Sequence, residues 1–62
     1  MEEPDRNVVI PIEERLPRAR ETVIVVCKTF RCLGYVDDKG IWRDDANSKE
    51  LEGVIGWMKF LS

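Results

Sequence analysis

Cys27 and Cys32 are the two thiols of this chain, and the sequence contains no histidine. A cysteine or serine nucleophile is ordinarily activated by an imidazole base, and none is present. Lys28 and Arg31 flank the thiols and would lower a thiol pKa only modestly. A zinc ion held by both cysteines would need two further ligands from carboxylates alone, an unusual donor set. The acid pairs Asp37-Asp38 and Asp44-Asp45 bracket one short segment and offer the oxygen ligands that calcium or magnesium prefer. They lack the spacing of an EF-hand, and Asp in such places ordinarily builds turns through local hydrogen bonds. Glu13 and Glu14, with Glu50 and Glu52, are carboxylates for acid–base work, yet no feature sets their separation or raises a pKa. Gly34, Gly40, Gly53 and Gly56 are scattered and form no phosphate-cradling loop. The expectation is a chain that is not an enzyme, with no cofactor and no metal.

Binding chemistry is better supplied. Residues 1–14 carry a net charge of −4, residues 15–36 a net of +4 and the remainder −2, within an overall charge of −2. The basic middle is a candidate contact surface, although interspersed charges of this kind often serve solubility alone. Arg15, Arg18, Arg20, Arg31 and Trp42 are the candidate partner-binding residues, being types enriched where interfaces concentrate their energy. Tyr35, Trp57, Met58 and Phe60 belong to the same types. Trp57 sits in an apolar run that favours a core place, whereas the tail Lys59-Phe60-Leu61 favours an exposed one. Lys28, Phe30 and Arg31 put an aromatic between two cations, the raw material of a single-stranded nucleic-acid site. A sequence pI near 5.0 weighs against that alternative.

These residues must be positioned by a very small scaffold. A chain of 62 residues buries only about 60% of the surface it exposes when unfolded. Its core must therefore come from nearly all its large side chains: Val8 to Ile12, Val23 to Val26, Phe30, Leu33, Tyr35, Ile41, Trp42, Val54, Ile55, Trp57, Met58, Phe60 and Leu61. Any apolar strip left over would call for a homodimer or a partner.

Val8 to Ile12 is β-branched with Pro11 inside it, which predicts an edge strand. Glu13-Glu14-Arg15-Leu16-Pro17 predicts a turn or a single helical turn, stopped by Pro17. Thr22 to Cys27 runs apolar without alternation and predicts a central strand buried on both faces. Arg31 to Val36 alternates, and Asp37-Asp38-Lys39-Gly40 predicts a hairpin turn into Ile41-Trp42-Arg43. After the polar loop Asp44 to Glu50, Leu51 to Leu61 predicts a bent or bulged strand, because Gly53 and Gly56 disfavour a helix. The expected fold is mainly β: a small antiparallel sheet of four to five short strands, with the option of curling toward a barrel. Residues 1–7 are expected to be a flexible N-terminal segment ahead of one domain over 8–62.

Several of these elements carry a family resemblance. Ile12-Glu13-Glu14-Arg15-Leu16-Pro17, Val23-Ile24-Val25-Val26-Cys27, Gly40-Ile41-Trp42 and Leu51-Glu52-Gly53-Val54-Ile55-Gly56-Trp57-Met58 occur in an order that resembles domain of unknown function 551. That family occurs in early-region proteins of lambda-type phages and in bacterial prophages. The Arg-Leu-Pro turn and the terminal Val-x-x-Trp-Met are the most specific pieces. The family commonly has Thr-His before its terminal tryptophan, where this chain has Ile55-Gly56, so no role of that histidine carries over. The resemblance implies a phage or mobile-element origin and an accessory role, and it implies no reaction.

Met1 to Asn7 has no basic n-region followed by an apolar stretch, and the longest uninterrupted apolar run, Val23 to Cys27, is far shorter than a membrane span. The expectation is therefore a cytoplasmic protein of the bacterial host cell with both thiols reduced and no membrane partner. The expected function is binding of a bacterial host protein or complex, with inhibition of a host defence complex of the anti-CRISPR type as its concrete form. The alternatives are a single-stranded nucleic-acid binder and a dimer-forming structural domain.

Overall fold

The computed structural model describes residues 8–60. Five strands occur in chain order: β1 (Ile10–Pro11), β2 (Val23–Cys27), β3 (Arg31–Val36), β4 (Trp42–Asp44) and β5 (Val54–Lys59). They form one sheet in the order β1-β5-β2-β3-β4, with every pair antiparallel. There is no helix among the described residues. The sheet is open: its end strands β1 and β4 do not pair with each other, so the barrel option is not taken. β2 is the central strand, and β1 is an edge strand, where the missing N–H of Pro11 costs no ladder bond. The expected segment 1–7 and the core candidate Leu61 lie outside the described residues.

Register decides which side chains meet. Across the ladders, Ile10, Trp57, Val25 and Cys32 lie opposite one another in turn, as do Val36 with Trp42 and Cys27 with Val54. Every strand residue of the hydrophobic core belongs to this one face, and Ile12 and Leu51 pack onto it from the loops. The opposite face carries Pro11, Gly56, Met58, Ile24, Val26, Leu33, Arg31, Tyr35 and Arg43, by the same pairings. β2 is thus buried on its second side at Val26, as its apolar run suggested, and only half-buried there at Ile24. Val23, Val25 and Cys27 enter the core, while Ile24 and Val26 face the other way. Val26 is buried on that second face, apart from the main core cluster. Val8, Val9, Phe30, Leu33, Ile55 and Phe60, expected in the core, are exposed instead. Among the described residues only loops cover the sheet, and no second layer of secondary structure receives these side chains.

The connections account for the strand ends. Glu14 and Arg15 donate backbone N–H bonds to the Pro11 carbonyl, closing one turn before Pro17. Asp37 organises the β3–β4 hairpin: its Oδ1 accepts from the N–H groups of Lys39 and Ile41, both at 2.9 Å. Gly40 takes the turn's positive φ of 82°. A bulge lies where β5 passes Val26 and Cys27, the irregularity expected of the glycine-bearing strand.

Candidate protein-binding surfaces

The loop from Ile12 to Thr22 lies over the core face and carries three of the candidate arginines. Trp57, on that face, donates its indole N–H to the Arg15 carbonyl at 3.0 Å. The Arg15 guanidinium stands over the same ring, 5.8 Å from its centroid, within cation–π range. Pro17 then keeps Leu16 extended, and the chain turns again at Arg18–Glu21, closed by the Glu21 N–H on the Arg18 carbonyl at 3.1 Å.

Arg20 holds the third position of that turn with φ 69°, a place where glycine or asparagine is at ease. Two contacts hold it there. Its N–H donates to the Val36 carbonyl at 2.7 Å, and its guanidinium grips Asp38 through Nε and Nη2 at 3.4 and 3.1 Å. Both side chains of this ion pair are 68% exposed, so water screens the attraction and its main effect is to aim the arginine.

Arg18, Ala19, Arg20, Glu21 and Lys59 line one shallow concavity open to solvent. Lys59 reaches it because it follows Trp57 by two residues on β5 and so shares its face. Arg18, Arg20 and Lys59 thus gather around the start of β2 and the end of β5, while Arg15 stands over Trp57, beside the middle of β2. In the sequence Lys59 stands with the apolar tail, and only the alternation of β5 and its pairing with Val23 bring it to the arginines.

The other candidates stand elsewhere. Arg31 pairs with Val26 on the opposite face, five extended residues or roughly 17 Å along β3 from the Val36 carbonyl that holds Arg20. Trp42 is 9% exposed and packs in the core, so it does not present its indole to a partner. The sequence signal for that was available: Trp42 falls opposite Val36 once the hairpin is closed.

Lys28, Phe30 and Arg31 occupy the tip of the β2–β3 hairpin, closed by the Cys27 N–H on the Phe30 carbonyl at 2.8 Å. Phe30 is 49% exposed, and Lys28 and Arg31 are exposed beside it. Phe30 immediately precedes β3, which Arg31 opens, and it is the one aromatic ring of the tip. The tip therefore offers one ring rather than a flat stacking platform with cations around it.

The acid pairs are engaged in turns and ion pairs. Asp37 Oδ2 accepts from Arg43 Nε at 2.8 Å, and the Arg43 guanidinium with the two backbone donors holds its carboxyl at about 2, below the ordinary 3.8. Asp38 binds Arg20, Asp44 caps the Ala46 N–H at 2.7 Å, and Asp45 accepts from the Thr22 hydroxyl at 3.3 Å. No three His, Cys, Asp or Glu side chains converge among the described residues. Cys27 is buried and Cys32 half-buried, both as free thiols. Burial pushes both thiol pKa values up, with Asp44 and Cys27 adding to the rise at Cys32. Such thiols are poorer nucleophiles at neutral pH than a free cysteine.

Fold and surfaces together define a small all-β domain built on a five-stranded antiparallel open sheet, with a basic corner at one end of its packed side. Comparison with protein families, with curated proteins and with solved structures gives no match to the chain. No helix among the described residues is long and apolar enough to cross a membrane.

Proposed function

We propose that this chain is a non-enzymatic accessory protein of phage or prophage origin that binds a protein in the cytoplasm of a bacterial host. Its concrete form is inhibition of a host defence complex, in the anti-CRISPR manner, by covering a surface the complex needs. The observation that carries this reading is the gathering of Arg18, Arg20 and Lys59 at one concavity, with Arg15 over Trp57 on the same face. Arg20 is paired with Asp38 and Glu21 lines the same concavity, so Arg18 and Lys59 are the cations there that make no ion pair among the described residues, and they favour an acidic protein surface. A standard interface takes about 800 Å² from each partner, roughly a sixth of the 4652 Å² surface here, so one contact suffices to make an occluding plug.

The test is capture of host proteins by the tagged chain, with and without nuclease, alongside a variant carrying Arg18→Ala and Lys59→Ala. Both side chains are exposed and neither contributes to the core. One stoichiometric protein is expected to survive nuclease and to be lost with the variant. Undiminished capture by the variant would remove the basic corner from the reading. Capture abolished by nuclease and steeply weakened by salt would instead favour single-stranded nucleic acid at Lys28, Phe30 and Arg31, a reading supported by the exposed ring of Phe30.

A further inference from the structure

We infer that the acidic stretch over residues 2–5 docks on the basic concavity of its own chain. Its consequence for function rests on the reading of that concavity as the contact surface, whereas the contact itself does not. Arg18, Ala19, Arg20, Glu21 and Lys59 line the concavity, which is open to solvent. Arg20 is matched by Asp38, so Arg18 and Lys59 stand there against Glu21 alone, and neither makes an ion pair among the described residues. Glu2, Glu3 and Asp5 put three acids within four residues, a density met nowhere else in the chain, with Arg6 as the one cation of residues 1–7.

The fold delivers that stretch to the concavity. β1 runs antiparallel to β5, with Ile10 opposite Trp57 and Pro11 opposite Gly56. The chain before Ile10 therefore approaches from the end of β5, where Lys59 lies two residues, about 7 Å, beyond Trp57. Val8 and Val9 are exposed, so that approach is made along the surface. Asp5 and Glu3 precede Ile10 by five and seven residues. A chain of that length spans about 12–15 Å on average, ample to reach Lys59 and Arg18. The next carboxylates are carried the opposite way: after Pro11 the Ile12 N–H donates to the Ile55 carbonyl, which takes Glu13 and Glu14 toward the start of β5.

A tether this short keeps the carboxylates beside the cations at an effective concentration in the millimolar range. Each pair is exposed and screened by salt, so no single one holds the segment, and the contact is an attraction shared between the two clusters. An acidic partner must therefore displace the segment before it can use the corner. Its apparent affinity falls with the fraction of chains whose corner is covered, and a surface with few acids is turned away. The acidic stretch of a second copy carries the same charges but lacks the tether, so dilution separates the two occupants.

NMR spectra of the full chain, set beside those of a Glu2→Gln, Glu3→Gln, Asp5→Asn triple variant, test the contact with no partner present. Signals of Arg18–Glu21 and Lys59 are expected to move, while those of Ala46 and Asn47, beyond β4 at the other edge of the sheet, stay in place. Sodium chloride at 1 M should carry the parent's signals toward the variant's positions, because screening then acts within about 3 Å. The charge-conserving variant Glu2→Asp, Glu3→Asp, Asp5→Glu should reproduce the parent spectrum. A short polyglutamate peptide, used as the probe, should bind the neutralised variant about threefold more tightly than the parent. That gain should vanish in a chain that also carries Arg18→Ala and Lys59→Ala. Unmoved signals at Arg18–Glu21 and Lys59, no gain in affinity for the peptide, or a gain that survives loss of Arg18 and Lys59 would overturn the inference. So would signal changes that grow with protein concentration, which assign the contact to the acidic stretch of a second copy. Host capture is the separate arm: capture indifferent to Arg18→Ala and Lys59→Ala refutes the corner as the contact surface, whereas the docked segment stands or falls on the spectra and the peptide.

Discussion

Gly34→Ala is the substitution whose cost the structure determines most directly. Gly34 is buried in β3 between β2 and β4, and its φ is not positive, so its backbone would accept any residue. Space is the obstacle. An added Cβ would stand 2.6 Å from the Arg43 carbonyl oxygen and 2.8 Å from Val25 Cγ2. The first of these atoms is backbone in a paired strand and cannot swing aside. Over-packing of this kind typically costs 1–3 kcal/mol, and the backbone clash puts Gly34→Ala at about 2–3 kcal/mol. In a domain of this size that lowers the melting temperature by on the order of 10–20 °C. Gly40→Ala is the matched control. A Cβ there meets nothing within 4 Å, and the cost comes only from its φ of +82°, about 1 kcal/mol. Thermal melts followed by circular dichroism, run on both variants and on Gly40→Asn, separate the two causes. Gly40→Asn should recover most of the loss, because asparagine tolerates a positive φ. If Gly34→Ala melts no lower than Gly40→Ala, β4 does not cross Gly34 as closely as described and the account of the β3–β4 pairing is wrong.

Two further outcomes follow from the polar contacts. The Asp37 carboxyl is held at about 2 in the folded chain against an ordinary 3.8, so it contributes stability that is complete above about pH 4 and is lost as pH falls toward 2. Asp37→Asn should therefore flatten the acid limb of a melting-temperature profile taken between pH 6 and pH 2, and an unchanged profile would refute the Arg43 and turn contacts. Trp57→Phe keeps most of the ring but removes the donor to the Arg15 carbonyl; a loss of about 1 kcal/mol in urea unfolding is expected, with faster hydrogen exchange along the Ile12–Thr22 loop. A variant as stable as the parent, with exchange unaltered, would mean that the indole does not anchor this loop.

Much of the scaffold was legible in local chemistry. Pro11 placed β1 at an edge because a residue without an N–H cannot serve a ladder on both sides. The run Val23 to Cys27 placed β2 at the centre because an apolar stretch without alternation suits a strand shielded from water on both sides. Asp37 to Gly40 placed the hairpin because Asp captures the turn's free N–H groups and Gly accepts its positive φ. What local chemistry could not reveal was how many layers the domain would have. An apolar run reads alike whether its second face meets another layer or is left open, so the exposure of Leu33 beside the half-buried Ile24 was invisible from composition.

The binding surfaces divide in the same way. The types Arg, Lys and Trp, and the absence of histidine, are properties of the chain itself, and they set which chemistry was within reach. Which of those residues stand together depends on strand order and register, long-range relations that nearest-neighbour preferences do not encode. Register sent Trp42 into the core opposite Val36 and Arg31 to the far end and far face of β3. It also brought Lys59, from the end of the chain, beside Arg18 and Arg20. The sequence by itself determined the strands, the turns and the stock of side chains. Tertiary structure alone decided which of them share a surface, because the pairing of β5 with β1 and β2 carries residues 27 to 47 positions apart into contact.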